Sequence, residues 1–301
     1  MASLSFDPAA HFYDATRGYP DDVALKIAHA IDEAAQATSQ TAYLEIGVGT
    51  GRIAQPLASL GHTYTGVDIS EKMLAQLETK LLAAGWQKRA RTEYPWGSFT
   101  DEQTSLHPSV QRFERFEKSQ TQPPSSLRLV VSDIEQLPFV DHSFDAVVAV
   151  HIFHLIDGWE RSLQEVVRVL RSGGKLLQCW DAYDASAIGE VVNAQWRGMV
   201  QDLGGSTSRP GVSTHSVKHW LKERGFQTQD ERALAWSQQV IPRQAIDYIA
   251  QRYWSSSWQI PDDIFAVSIE RLWAWAHEYF GPQIDVPQVQ ERHFFISITQ
   301  L

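Results

Sequence analysis

Cysteine is nearly absent. The 301 residues hold one, Cys179, which excludes an internal disulfide and any multi-cysteine metal site. Its apolar setting, "KLLQCW", reads as packing rather than a nucleophile, and no metal is expected. Long hydrophobic runs are also missing. No apolar stretch approaches membrane-spanning length, and the opening "MASLSFDPAAHFYDATRGYP" lacks a basic segment followed by an apolar one, so a soluble, cytoplasmic chain without a secretory signal is expected. Positive charge is in deficit: 26 Lys and Arg stand against 36 Asp and Glu, a formal net charge of −10. That balance opposes a phosphate backbone, so no nucleic-acid partner is expected and small molecules are the favoured substrates. What the chain does have is 43% hydrophobic and 11% aromatic residues, enough for a sizeable core.

From about residue 42, short apolar runs alternate with helical stripes, the pattern of βαβ units and a Rossmann-like α/β sheet. "AYLEIGV" reads as a first buried strand, Gly51 to Leu60 as a helix closed at Gly61, and "HTYTGVDI" as a second strand. Ser70 caps the next helix, whose Met73, Leu74, Leu77, Leu81 and Leu82 share a face. Residues 86–126 break the pattern and read as an insertion between strands two and three. Val110, Phe113 and Phe116 suggest a short amphipathic helix within it, and Trp86, Tyr94, Trp96 and Phe99 argue that part of it packs on something. A surface elaboration and a lid over the site both fit.

"LRLVVSD", "SFDAVVAVHIF" and "GGKLLQCWD" supply three further strands, with a helix from Trp159 to Leu170 and a turn at Gly173-Gly174. Beyond Asp181 tryptophans accumulate. One helix opens at Pro242, another is capped by Asp262 or Asp263 and stops at Gly281-Pro282, "STHSVKHWLKERGF" holds a further helix, and "RHFFISITQL" ends the chain as a strand. The expected organisation is a single domain over 1–301, with an N-terminal helical arm over 1–40 and a C-terminal cap or substrate region over 183–285. No feature selects an oligomeric state.

The strand, Gly47-x-Gly49-x-Gly51 turn and helix bring backbone close to a ligand near a helix N-terminus. A dinucleotide fingerprint needs another glycine where Arg52 stands, and no Gly-Lys-Ser/Thr follows, which disfavours pyrophosphate and excludes a triphosphate loop here. Asp68 ends the second strand 17 residues after Gly51, where it can accept from both hydroxyls of a ribose. Glu45 adds a carboxylate beside the turn that suits a cationic ligand. Asp133 can accept from an adenine amino group, with Ile134 as an apolar surface, although "SDIEQLP" also suits turn formation.

Together, "YLEIGVGTGRIAQPL", "YTGVDIS" and "VVSDIEQLPFVDHSFDAVVAVHIFHLIDGWERSLQEVVRVLRSGGKLL" resemble class I S-adenosylmethionine-dependent methyltransferases. "FDPAAHFYDATRGYP" looks like the arm of the small-molecule branch that includes quinone-biosynthesis and trans-aconitate methyltransferases. The resemblance implies a seven-stranded sheet with the last strand antiparallel. It also implies S-adenosylmethionine (SAM) as cofactor, leaving as S-adenosylhomocysteine (SAH). Glu45, Gly47, Gly49 and Gly51 would then flank the methionine moiety, Asp68 and Ile69 the ribose, and Asp133 and Ile134 the adenine. Tyr13 and Arg17 match the arm that closes over the cofactor, where Arg17 either pairs with the methionine carboxylate or forms a surface salt bridge.

His151 and His154 follow the fourth parallel strand at the carboxyl edge of the sheet and are the candidate general bases, His151 also as a cofactor neighbour; either can equally shape the loop. His215 and His219 rank below them. The aromatic C-terminal third suits core packing or an acceptor pocket walled by Trp180, Tyr183, Trp196 or Trp254. The expected activity is methyl transfer to a small molecule. A non-enzymatic SAM-binding regulator, an NAD-dependent oxidoreductase and a nucleic-acid methyltransferase are the alternatives.

Overall fold

The computed structural model describes residues 5–89, 112–118 and 125–301. Contacts divide the chain into two compact units, one of Met1–Trp180, Pro210–Ala233 and Phe295–Leu301, the other of Asp181–Arg209 and Leu234–Phe294.

In the first unit a short helix, α1 (Tyr13–Arg17), and a longer one, α2 (Asp21–Ala35), precede strand β1 (Ala42–Ile46). Helix α3 (Ala54–Ala58) and strand β2 (Thr63–Asp68) follow, then α4 (Glu71–Ala83). α4 starts as expected: Ser70 Oγ accepts the N–H of Met73 at 3.1 Å, satisfying one of the free donors of the first turn. Met73, Leu74, Leu77 and Leu81 are buried, whereas Leu82, read as part of that face, is 49% exposed. α3 is shorter than the helix read from Gly51 to Leu60.

Two strands follow, β3 (Gln87–Arg89) and β4 (Arg112–Lys118), before β5 (Ser125–Val131) and β6 (Phe144–Val150). β1 pairs in parallel with β2 and β6, and β2 with β5. Their near-continuous burial is what a parallel sheet covered on both faces demands. Helix α5 (Trp159–Val169) crosses back to β7 (Leu170–Tyr183), parallel to β6. Helix α6 (Ile188–Asp202), helix α7 (Thr214–Glu223), strand β8 (Thr228–Val240), helices α8 (Pro242–Ala250) and α9 (Asp262–Phe280) and strand β9 (Gln288–Gln300) complete the order.

Among the described residues the sheet holds nine strands, ordered β3-β4-β5-β2-β1-β6-β7-β9-β8, not the seven expected. The seven are present, and the insertion adds the other two. β3 pairs antiparallel with β4, and β4 antiparallel with β5, so part of the 86–126 segment extends the sheet edge. The helix read from Val110, Phe113 and Phe116 is therefore a strand over 112–118; Val110 lies outside the described residues, as do Tyr94, Trp96 and Phe99. A spacing of three suits a helix face, but in a strand it sends the two phenylalanines to opposite faces. Both are buried, at 3% and 0% exposure, because each face is covered. Gly173 donates to Leu301 O at 2.6 Å while Trp180 stacks on Phe295, so β9 runs antiparallel to β7, as expected.

The sheet's core gathers Leu44, Ile46, Val67, Val130 and Val147 with Leu163 and Val166 of α5 and Trp220 of α7. Each fully buried aliphatic side chain contributes about 1.5–3 kcal/mol. In the second unit, α6, α8 and α9 bury Val192, Trp196, Ile246, Ile249, Leu272 and Ala276 together. Trp196 is core rather than pocket wall: fully buried, its indole N–H donates to Ser268 Oγ at 3.1 Å. α9 begins without a side-chain cap. Pro261 holds that position, and Asp262 in the first turn pairs instead with Arg252 at 2.7 Å.

Candidate functional site

At the carboxyl edge of the parallel strands the chain must turn sharply. After β1, Gly47, Gly49 and Gly51 adopt φ of +70°, +55° and +73°, conformations that L side chains rarely take. A β-carbon on Gly47 would lie 2.4 Å from Ile152 Cδ1, so any other residue there would push the Ile152 side chain aside. The N–H of Gly47 and that of Val48 both donate to Val67 O, fastening the turn to β2.

β2 ends on Asp68. Its Oδ2 accepts the N–H of Gly49 and its Oδ1 that of Ser70, each at 2.8 Å. Burial pushes this carboxyl up to about 6, against the pull of those two bonds. β5 is followed by Ser132 and Asp133, and Asp133 Oδ1 accepts the N–H of Glu135 at 2.9 Å, so the turn-forming role read from "SDIEQLP" is present. β6 is followed by His151, whose φ of +50° is held by donation of its N–H to Cys179 O at 3.1 Å.

These strand ends line a cleft at the carboxyl edge of the sheet, where open α/β sheets bind small molecules. Of the expected site residues, Tyr13, Gly47, Gly49, Asp68, Ile69, Asp133, Ile134 and His151 line it. Arg17, Glu45, Gly51 and His154 do not. Arg17 stands behind the wall, its guanidinium 4.9 Å from the Tyr13 ring centroid and 5.8 Å from that of Phe6. Glu45 is 2% exposed beneath the turn, accepts from Tyr64 Oη at 2.8 Å and is pushed by burial to about 8. Gly51 packs on Leu77. The ring of His154 lies edge-on to His151 at 6.4 Å, and its carbonyl accepts the N–H of Gly211. His215 and His219 lie on exposed positions of α7, where His219 faces Glu223 at 3.3 Å.

Phe6, Met73, Ser132, Val150, Ile152, Leu155 and Ile156 also line the cleft and were not read from the sequence. The run "HIFHLID" after a strand at the carboxyl edge was the available signal, but its isoleucines and leucine look like core. The arm that brings Phe6 and Tyr13 here is fastened at both ends. Asp7 Oδ1 accepts from Ser70 Oγ, and Asp14 accepts from Thr50 Oγ1 and Lys80 Nζ.

Among the described lining residues there is no lysine or arginine. A cleft with two carboxylates, a glycine turn and apolar walls suits a cationic ligand bearing vicinal hydroxyls better than a polyphosphate. The described residues contain no group of three or more His, Cys, Asp and Glu able to hold a metal, and no helix long and apolar enough to cross a membrane.

Two family models, each described as a methyltransferase domain, match residues 44–105 and 92–178. An uncharacterised methyltransferase of Mycobacterium tuberculosis (strain ATCC 25618 / H37Rv) is 26% identical over 251 residues, covering 83% of this chain and 77% of that protein. The demethylmenaquinone methyltransferase of Tropheryma whipplei (strain Twist) is 24% identical over 213 residues, 66% of this chain and 72% of its own. A structure from Bacillus halodurans C-125, provisionally described as a methyltransferase, matches with a TM-score of 0.53 at 15% identity, over 92% of this chain and 97% of the other, a likeness of fold. The matched domains span the glycine turn and all four strand ends that build the cleft, and with the methyltransferase relatives they support a class I S-adenosylmethionine-dependent methyltransferase.

Proposed function

We propose that this chain transfers a methyl group from SAM to a small-molecule acceptor by in-line displacement. The observation that carries the reading is Asp68, a carboxylate on the cleft wall held at both oxygens by the turn and the helix cap around it. Those bonds use one lone pair on each oxygen, leaving capacity for the two hydroxyls of a ribose. Asp133 accepts from the adenine amino group, with Ile134 and Ile69 against the ring and sugar. Gly47 and Gly49 let the backbone approach the methionine half, and Glu45 underlies the turn through its bond from Tyr64. Tyr13 and Phe6 close the arm side, with Arg17 supporting them.

The cofactor, when bound, supplies an electrophilic methyl group. The chain's own task is alignment and exclusion of water, and alignment alone is worth about 7–11 kcal/mol. Ile152, Leu155 and Ile156 provide the dry wall beside His151. His151 takes the acceptor's proton where the acceptor must lose one. The name of the Tropheryma relative, which gives a quinone precursor as its substrate, supports an acceptor of small-molecule size. The reading is tested by calorimetric titration with SAM, SAH and NAD. Binding of the two sulfur compounds and not NAD is expected, and binding of NAD alone would overturn it.

A further inference from the structure

Ser132 directly follows β5 and precedes Asp133, and its N–H donates to Asp68 O at 3.1 Å. The residue is fully buried and is part of the cleft wall. Its hydroxyl has no hydrogen-bond partner among the described residues. The nearby carboxylate oxygens accept from backbone instead: those of Asp68 from Gly49 and Ser70, and Asp133 Oδ1 from Glu135. Among the described residues, Ser132 Oγ is the one buried, unsatisfied side-chain polar atom that belongs to a cleft-lining residue.

A buried hydroxyl left unpaired is costly, and alanine would fill the same space without that cost. Sheet packing therefore gives no reason for an oxygen here, whereas a ligand rich in ring nitrogens and hydroxyls does. We propose that Ser132 is a cofactor-contacting residue whose hydroxyl is satisfied by the nucleoside half of the adenosyl ligand. The inference rests on the SAM reading. A turn about χ1 moves Oγ between staggered positions without moving the strand.

The test is calorimetry with SAH and with adenosine on wild type, Ser132→Ala and Ser132→Cys, alongside melting of each protein without ligand. Wild type binds SAH. Ser132→Ala melts at or above the wild-type temperature, because no intramolecular bond is lost, yet binds both ligands roughly 5- to 15-fold more weakly. Ser132→Cys keeps the shape with a poor donor and behaves like the alanine variant. Wild-type affinity in either variant, or a melting temperature that falls in step with affinity, overturns the proposal and leaves the SAM reading standing. Failure of wild type to bind SAH overturns both.

Discussion

The backbone N–H of Gly49 donates to the Asp68 carboxylate at 2.8 Å, which makes the glycine turn after β1 and the acidic end of β2 one hydrogen-bonded unit. Asp68 thus shapes the turn as well as lining the cleft. Asp68→Ala removes two acceptors from backbone donors along with the carboxylate proposed to hold the ribose. Hydrogen bonds to a charged group are worth about 1.5–3 kcal/mol, so SAH affinity falls roughly 10- to 100-fold. Asp68→Asn, keeping one acceptor oxygen, falls between. Titration calorimetry measures both, and an unchanged Kd in the alanine variant would remove Asp68 from the ligand site.

Glu45 and Asp68 make stability depend on pH in a defined direction. Burial holds both carboxyls above their unfolded values, to about 8 and about 6. Between about pH 4 and 8 the folded chain therefore binds more protons than the unfolded one, and stability falls as pH rises through that window. Carboxyls held low by cationic partners, such as Glu78 beside Lys88, act oppositely but only near and below their unfolded values. Urea unfolding between pH 5.5 and 8.5 separates the two groups. Glu45→Gln retains an acceptor for Tyr64 and carries no charge, so it flattens the decline by up to about 3 kcal/mol. A variant with the wild-type slope would show that Glu45 is ionised throughout.

Gly211 supports the cleft wall from behind. Its N–H and that of Val212 donate to His154 O and Phe153 O, and a β-carbon on Gly211 would lie 2.0 Å from Phe153 O. Gly211→Ala must displace the 153–156 segment that carries Leu155 and Ile156. SAH affinity is expected to drop about 10-fold, although residue 211 does not line the cleft, since displacements near 1 Å in positioning elements have large effects. Equal affinity in wild type and variant would show that the wall tolerates the shift.

The residues legible in the sequence are those with a special backbone need or a charge at a strand end. Gly47, Gly49 and Asp68 stand out by their spacing after and at the ends of the first two strands, whereas Asp133 also serves a turn. Ser70 was legible as a cap from its place before an apolar stripe. The apolar wall was not: Ile152, Leu155 and Ile156 have the composition of core, and only the fold shows which side they face. Phe113 and Phe116 misled because their spacing fits a helix, while the antiparallel pairing of β4 with β5 comes from partners distant in sequence. The docking of Asp7 on Ser70 and of Asp14 on Thr50 and Lys80 joins segments 36 to 66 residues apart, beyond the reach of local pattern.

His151 offers the sharpest separation of binding from chemistry. Its φ of +50° is tolerated by asparagine far better than by alanine, so His151→Asn keeps the loop conformation and removes the imidazole. SAH affinity should stay within about 3-fold of wild type, whereas His151→Ala loses affinity through the strained backbone. With an acceptor identified by screening, a base role predicts a kcat for His151→Asn lower by roughly 10²–10⁴ and loss of the acidic limb of the pH–rate profile. Retention of kcat and of that limb would exclude His151 as the base. Methyl transfer would then rest on alignment alone, which requires an acceptor atom that reacts without giving up a proton first.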